Sequence, residues 1–563
     1  MKKKVYLIAA VCSVCVGTSS VLAESGSAPI PSIEKQEKHA SLTAQPPHPI
    51  FTWNSDKIPV TSVLHPGSAR GAGMVEAPLQ KIDGIINQAI TDHVMPGAVV
   101  LVARGGKIVK EDAYGYAARY SDGSFTEMEN PIMMQKDTIF DLASISKLFT
   151  STAVMMLYEK GLFGLDDPVA RYIPEFAQNG KQQVTIRQLL THTSGFPAWI
   201  PLYTKGTSRD DRLQIVFNQP LTNSPGSTYT YSDLNMITLG ALVEQLSGQR
   251  EDQFVKEHIT GPLGMNDTMY NPPASVKNRI AATEYQITPN RGLVWGQVHD
   301  ENAWSLDGVA GHAGVFSTAE DLAKFAHVFL NDGRYAGKTI LQPETVNLLL
   351  ENQNKGFPGD DHGLGWELKQ GWYMDALSDG TAFGHTGYTG TSIVVSQLNK
   401  TIAILLTNRV HPSRNTVSTN QTRRLIARQV ADSIPVTMPA KEPAWFAGYG
   451  DRLNRTMETN LNLRQDTTLS YSTWYSLENG SDFGYIEVFK EGSWQRLEQL
   501  TGNSTGWEMK ELTIPKEAAK LRFVYRTDSS VNGRGWYIQN PYLDDESGIQ
   551  LNFSSNDWQL RNY

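Results

Sequence analysis

Ile139-Phe140-Asp141-Leu142-Ala143-Ser144-Ile145-Ser146-Lys147-Leu148 joins a short apolar run to a helix-like segment that continues to Lys160. At the start of a helix, positions i and i+3 share a face, so Lys147 stands beside Ser144. A serine hydroxyl attacks poorly until a base takes its proton, and a lysine serves when burial or neighbouring cations lower its pKa. The helix N-terminus adds unpaired N–H groups where an oxyanion would develop. The same residues also fit a capping Ser144 beside a solvated Lys147. A second Ser-x-x-Lys match, Ser32-Ile33-Glu34-Lys35, sits among prolines with no ordered apolar run behind it, so the spacing alone carries little.

Two later segments decide between these readings. Tyr229-Thr230-Tyr231-Ser232-Asp233 opens another helix-like run, and Gly384-His385-Thr386-Gly387-Tyr388 precedes a strand. The ordered set Ser-x-x-Lys, Tyr-Ser-Asp, His-Thr-Gly resembles the serine β-lactamase and penicillin-binding-protein superfamily, in its class C, D,D-peptidase and esterase branch. Thr191-His192-Thr193-Ser194-Gly195 is similar to a recurrent internal signature of that family. The resemblance covers about residues 76–430. It implies Ser144 as acyl-enzyme nucleophile, with Lys147 and Tyr231 sharing acid/base work. It further implies an oxyanion hole from the N–H groups of Ser144 and Tyr388, with His385, Thr386 and Gly387 on the opposite wall. Two positions depart from the commoner pattern. Asp233 replaces an Asn, turning an amide donor into a carboxylate, and His385 replaces the Lys of most β-lactamases, which points to peptidases and esterases.

Trp295-Gly296-Gln297-Val298-His299-Asp300-Glu301 and Gly308-Val309-Ala310-Gly311-His312-Ala313-Gly314 are rich in His and acids but lack a helical His-x-x-x-His pattern. They are expected to form a loop bordering the cleft, with no metal. They resemble a cell-wall-turnover subgroup of the superfamily that includes penicillin-binding protein 4B and muropeptide amidases. The implied activity is hydrolysis of D-alanyl peptides or other muropeptide amides. A small-ester or D-amino-acid amide hydrolase, and a wall-binding or penicillin-sensing protein without turnover, remain alternatives.

Around this region the chain divides by texture. The 563 residues, 40% hydrophobic and 19% charged, exclude collagen, coiled coil and wholesale disorder. A net charge of -8 without basic runs argues against nucleic acid as a partner. Residues 1–23, with Lys2, Lys3 and Lys4, an apolar stretch and Val21-Leu22-Ala23, read as an export signal, so the mature chain is expected to be secreted or wall-associated. Cys12 and Cys15 both lie within it, which leaves no cysteine chemistry. No later apolar run is long enough to span a membrane. Residues 24–75 form a polar, Pro-dotted arm, and helix and strand patterns alternate over 76–435.

After a junction at 436–447, short aromatic and β-branched runs over 448–563 predict an all-β accessory domain. The fold class is therefore α+β: a β-lactamase-like antiparallel sheet flanked by helices, with a helical subdomain, followed by a C-terminal β-sandwich. Asp482-Phe483-Gly484-Tyr485 and Gly535-Trp536-Tyr537-Ile538 resemble the jelly-roll modules of secreted proteases such as immune inhibitor A. That resemblance implies an accessory role, glycan or wall contact through exposed Trp and Tyr, and a structural Ca²⁺, for which Asp544-Asp545-Glu546 offers ligands or else makes a solvated turn. No other cofactor is implied.

Overall fold

The computed structural model describes residues 51–55, 57–439, 442–544 and 551–563. The export signal and the first part of the arm lie outside them. A central eight-stranded sheet runs in the order His65–Pro66, Lys107–Tyr120, Gly97–Arg104, Thr401–Thr407, Ser392–Ser396, Ala382–Thr386 and Glu367–Leu368, with Glu127–Met133 paired to Lys107–Tyr120. All pairings are antiparallel except that of His65–Pro66, which makes the sheet mixed rather than antiparallel throughout.

Strand Gly97–Arg104 is buried along its whole length, and its two faces feed separate cores. Val99, Leu101 and Ala103 join Phe149, Phe325 and Trp366. Ala98, Val100 and Val102 join Ile82 and Ile86 of helix Glu76–Thr91 and Ile426 and Val430 of helix Asn420–Asp432. Alternation of side chains across a pleated strand thus produces a helix–sheet–helix sandwich from one continuous apolar run.

Helix Ser146–Glu159 shows no apolar stripe because it has no wet face over its first turns; every residue from Ser146 to Met155 is buried. Helix Asp233–Ser247 packs against it within a largely helical subdomain. The Thr191-to-Gly195 signature follows helix Ile186–Leu190, which Thr185 and Gln188 close with a capping box.

The C-terminal region is two antiparallel sheets, of five and four strands, ordered Glu508–Ile514, Thr467–Ser476, Gly535–Asp544, Ala444–Phe446, Gln559–Arg561 and Asn454–Asn460, Lys520–Arg526, Phe483–Lys490, Ser493–Leu500. Their inner faces share a core that includes Leu469, Tyr471, Ile486, Phe523 and Trp536. Strand Ala444–Phe446 lies inside the stretch read as a junction and pairs with Gly535–Asp544 on one side and Gln559–Arg561 on the other. Ion pairs tie this region to the hydrolase-like part: Asp451 meets Arg424 at 2.8 Å and Arg428 at 3.0 Å, and Arg561 meets Asp432 at 2.5 Å.

Candidate active site

Ser144 occupies a one-turn 3₁₀ segment, Ala143–Ile145, between strand Phe140–Asp141 and helix Ser146–Glu159. The turn is sharp: Ala143 has φ +48°, in the left-handed region that a side chain disfavours. The buried Asp141 carboxylate holds it there, accepting Ala143 N–H at 2.8 Å and His299 N–H at 2.6 Å. Leu142 N–H donates to Val315 O at 3.0 Å, fixing the turn to the neighbouring strand. The position of Ser144 is therefore set by a carboxylate that sequence reasoning placed only in an apolar run.

Lys147 is buried, and its ammonium meets Ser144 Oγ at 2.8 Å, the Asp233 carboxylate at 2.9 Å and His312 O at 3.2 Å. Ser144 is thus not a helix cap and Lys147 is not solvated. Burial alone would lower the Lys147 pKa, but the Asp233 carboxylate, followed by Tyr231, carries it above the ordinary range. This reverses the sequence-based expectation that Lys147 is activated by a lowered pKa, and the substitution of Asp233 for the commoner Asn is the physical reason. Tyr231 is also raised, by burial, with Lys147 opposing. At rest the pair holds its protons.

Tyr231 and Asp233 are aimed by the Thr191-to-Gly195 signature. His192 Nδ1 accepts Ser232 N–H at 3.1 Å and lies 3.1 Å from Asn235 Nδ2, while its ring packs 4.7 Å from that of Tyr231. Burial lowers the His192 pKa well below normal, so the ring is neutral and serves as an acceptor. Asp233 begins its helix, where a carboxylate is favoured by the helix dipole.

The third segment reaches the Ser144 turn through close approach. Thr389 Oγ1 donates to Asp141 O at 2.7 Å and Thr391 Oγ1 to Leu142 O at 3.0 Å. A Cβ on Gly387 would stand 2.1 Å from Thr391 Oγ1 and 2.3 Å from Leu142 O, so only glycine lets strand and turn meet. His385 is buried; its Nδ1 lies 2.7 Å from Thr386 O and its Nε2 has no hydrogen-bond partner. Burial, then Lys147, lowers its pKa to about 3, so the ring is neutral.

Two cavities meet at Ser144, Tyr231 and Tyr388. One, of about 450 Å³, is lined by Ser144, Tyr231, His385, Thr386, Gly387 and Tyr388 together with Arg409, Asn420, Arg423 and Glu367. Arg423 is buried, donates to Gly387 O at 3.1 Å and Thr391 O at 2.9 Å, and has its pKa lowered to about 10 by burial, leaving it cationic. Arg409 lies 5.2 Å over the exposed Tyr388 ring. The other cavity, of about 290 Å³, is lined by Ser144, Tyr231, Asp233, His299, Asp300, Glu301, His312 and Tyr388, with Arg414 among the acids. The His- and acid-rich loop thus borders the cleft. Sequence reasoning missed Arg409 and Arg423, which no motif marks.

Asp233, Asp300 and His312 bring ligand atoms within 4.8 Å of one another. Their charges are already answered: Asp233 by Lys147, and Asp300 by His312 Nε2 at 2.7 Å, against which burial would lower His312 but Asp300 holds it raised. Each carboxylate of this set is thus paired with a basic group of the same cleft. Of the other acidic run, Asp545 and Glu546 lie outside the described residues.

Residues 82–428 match the family model described as Beta-lactamase. The chain is 34% identical over 380 residues to a protein of Escherichia coli (strain K12) named "Putative D-alanyl-D-alanine carboxypeptidase", covering 62% of this chain and 86% of that protein. It is also 34% identical over 382 residues to a protein of the same name from Salmonella agona (strain SL483), covering 62% and 87%. Among solved structures, EstCE1, a hydrolase with promiscuous acyltransferase activity, aligns with a TM-score of 0.50 at 23% identity, over 63% of this chain and 98% of that one; it shares the fold.

Proposed function

The chain belongs to the beta-lactamase family, and from that premise we propose that it is a secreted serine hydrolase that cleaves D-alanyl peptides or related muropeptide amides through an acyl-enzyme at Ser144. The observation that carries this reading is the cationic wall of Arg409 and Arg423 in the cavity that Ser144 lines. Two guanidinium groups suit a substrate ending in a carboxylate. The relatives named for D-alanyl-D-alanine peptides support the same substrate class. Export rests on the pattern of residues 1–23.

In this reading Ser144 Oγ attacks the scissile carbonyl carbon while its proton passes into the Lys147–Tyr231 pair. The tetrahedral oxyanion lies against the N–H groups of Ser144 and Tyr388. Collapse breaks the C–N bond, and the departing amine takes the proton from Tyr231. Water then attacks the ester carbonyl, and its proton returns to Ser144 by the same pair. Because Lys147 and Tyr231 both hold protons at rest, the base form arises only when one proton has left the network that Asp233 anchors.

The test is intact-protein mass after incubation with a fluorescent penicillin, followed by a muropeptide digest, with Ser144→Ala in parallel. A covalent adduct and D-alanine release seen only in wild type support the proposal. Rapid nitrophenyl-ester turnover without muropeptide cleavage favours the esterase alternative. Wall binding without an adduct or turnover favours a non-catalytic role, and equal labelling of both proteins removes Ser144 as nucleophile.

A further inference from the structure

Away from Ser144, three carboxylates converge without an ion-pair partner among the described residues, Arg424 acting on Glu478 only from a distance. The turn between strands Thr467–Ser476 and Phe483–Lys490 carries Glu478 and Asp482, and the loop after strand Lys520–Arg526 carries Asp528. Their carboxylate oxygens lie within 4.8 Å of one another. Asp482 is fully buried; its Oδ1 accepts Asp528 N–H at 3.1 Å, while its Oδ2 has no hydrogen-bond partner. Glu478 Oε2 is likewise buried without one. An unpaired buried carboxylate oxygen is costly, and two together cost more through mutual repulsion.

The nearby cations point elsewhere. Arg428 meets Asp375 and Asp451 at 3.0 Å each, and Arg424 meets Asp451 at 2.8 Å. Asp375 acts on Glu478 and Asp482 as another negative charge. The loop that carries Asp528 also packs on the hydrolase-like part, since a Cβ on Gly371 would stand 2.8 Å from Val531 Cγ1.

We infer that Glu478, Asp482 and Asp528 form a binding site for a calcium-class divalent cation at the seam between the C-terminal sheets and the hydrolase region. An all-oxygen, carboxylate-rich donor set with two unused oxygens suits a hard cation, and calcium tolerates the irregular ligand arrangement that two loops supply better than magnesium does. Bound there, the ion would tie the Glu478–Asp482 turn to the Asp528 loop and screen Asp375. The position differs from the Asp544–Glu546 run that the sequence offered.

The test uses the full chain stripped with EDTA and titrated with CaCl₂ and, separately, MgCl₂, read by calorimetry and by melting temperature. We expect one saturable calcium site, a melting temperature that rises with calcium, and a weaker magnesium response. Asp482→Asn and the exposed Asp528→Asn should each weaken calcium binding by about tenfold or more. Asp482→Asn should also melt higher than wild type in EDTA, because it removes one of the repelling charges. Absence of a calcium response in the wild-type chain, or a full response retained by Asp528→Asn, would overturn the inference.

Discussion

The carboxylate of Asp233 lies 2.9 Å from the ammonium of Lys147, and that ion pair sets the charge of the catalytic cluster. Burial tends to discharge Lys147, but Asp233 and then Tyr231 outweigh it and keep the ammonium protonated. Replacing Asp233 by Asn removes the charge while keeping its shape. The Lys147 pKa should then fall, so the deprotonated form is populated at lower pH. The rising limb of kcat/KM against pH for Asp233→Asn should move toward acid by about one pH unit, read with a nitrophenyl ester and with a D-alanyl peptide. An unmoved limb would show that this pair does not control activation.

Motif order and residue type made the convergence of Ser144, Lys147, Tyr231 and His385 on one cleft legible because each sits in a short local pattern. The sign of the Lys147 shift was not, since it depends on how far Asp233 outweighs burial. Asp141 escaped for a different reason: its work is to hold the N–H groups of Ala143 and His299, a pairing that exists only after the chain has folded back. In the C-terminal region, strands with aromatic or β-branched runs were readable. Asn454–Asn460, with only Met457 and Thr459 buried, and the three-residue strands Ala444–Phe446 and Gln559–Arg561 carry too little alternation to announce themselves.

Close approach at Gly387 makes a steric prediction. With Leu142 O and Thr391 Oγ1 inside 2.5 Å of an added Cβ, Gly387→Ala must push the end of strand Ala382–Thr386 away from the Ser144 turn. A displacement of about 1 Å at a reacting centre lowers rate by roughly a hundredfold. The expected result is a loss of that order in acylation, measured by penicillin labelling or single-turnover kinetics, in a chain that still melts cooperatively.

Charge in the larger cavity should separate substrates by their ends. Arg409 lines it beside Tyr388 with one long backbone-carbonyl contact, to Arg414 O at 3.4 Å, whereas Arg423 makes two shorter ones to Gly387 O and Thr391 O. Arg409→Ala should raise KM for carboxylate-terminated D-alanyl peptides by about tenfold, in line with the loss of one charged hydrogen bond. Amide-capped analogues should change little. Equal loss for both would assign Arg409 to packing rather than to recognition.

Buried neutral histidines should make the fold sensitive to acid. Burial lowers His385 to about 3 and His362 and His411 to about 4, all below the ordinary 6.5 of an exposed ring. Below 6.5 the unfolded chain therefore binds protons that the folded chain refuses. Stability carried by these groups is intact above pH 6.5 and is lost as pH falls toward their folded values, at about 1.4 kcal/mol per group for each pH unit. Urea unfolding midpoints should fall steadily between pH 6.5 and 4. His362→Gln, which keeps a polar ring-sized side chain without a titrating proton, should flatten that slope by about one proton's worth. A slope unchanged in this variant would place the acid sensitivity elsewhere in the chain.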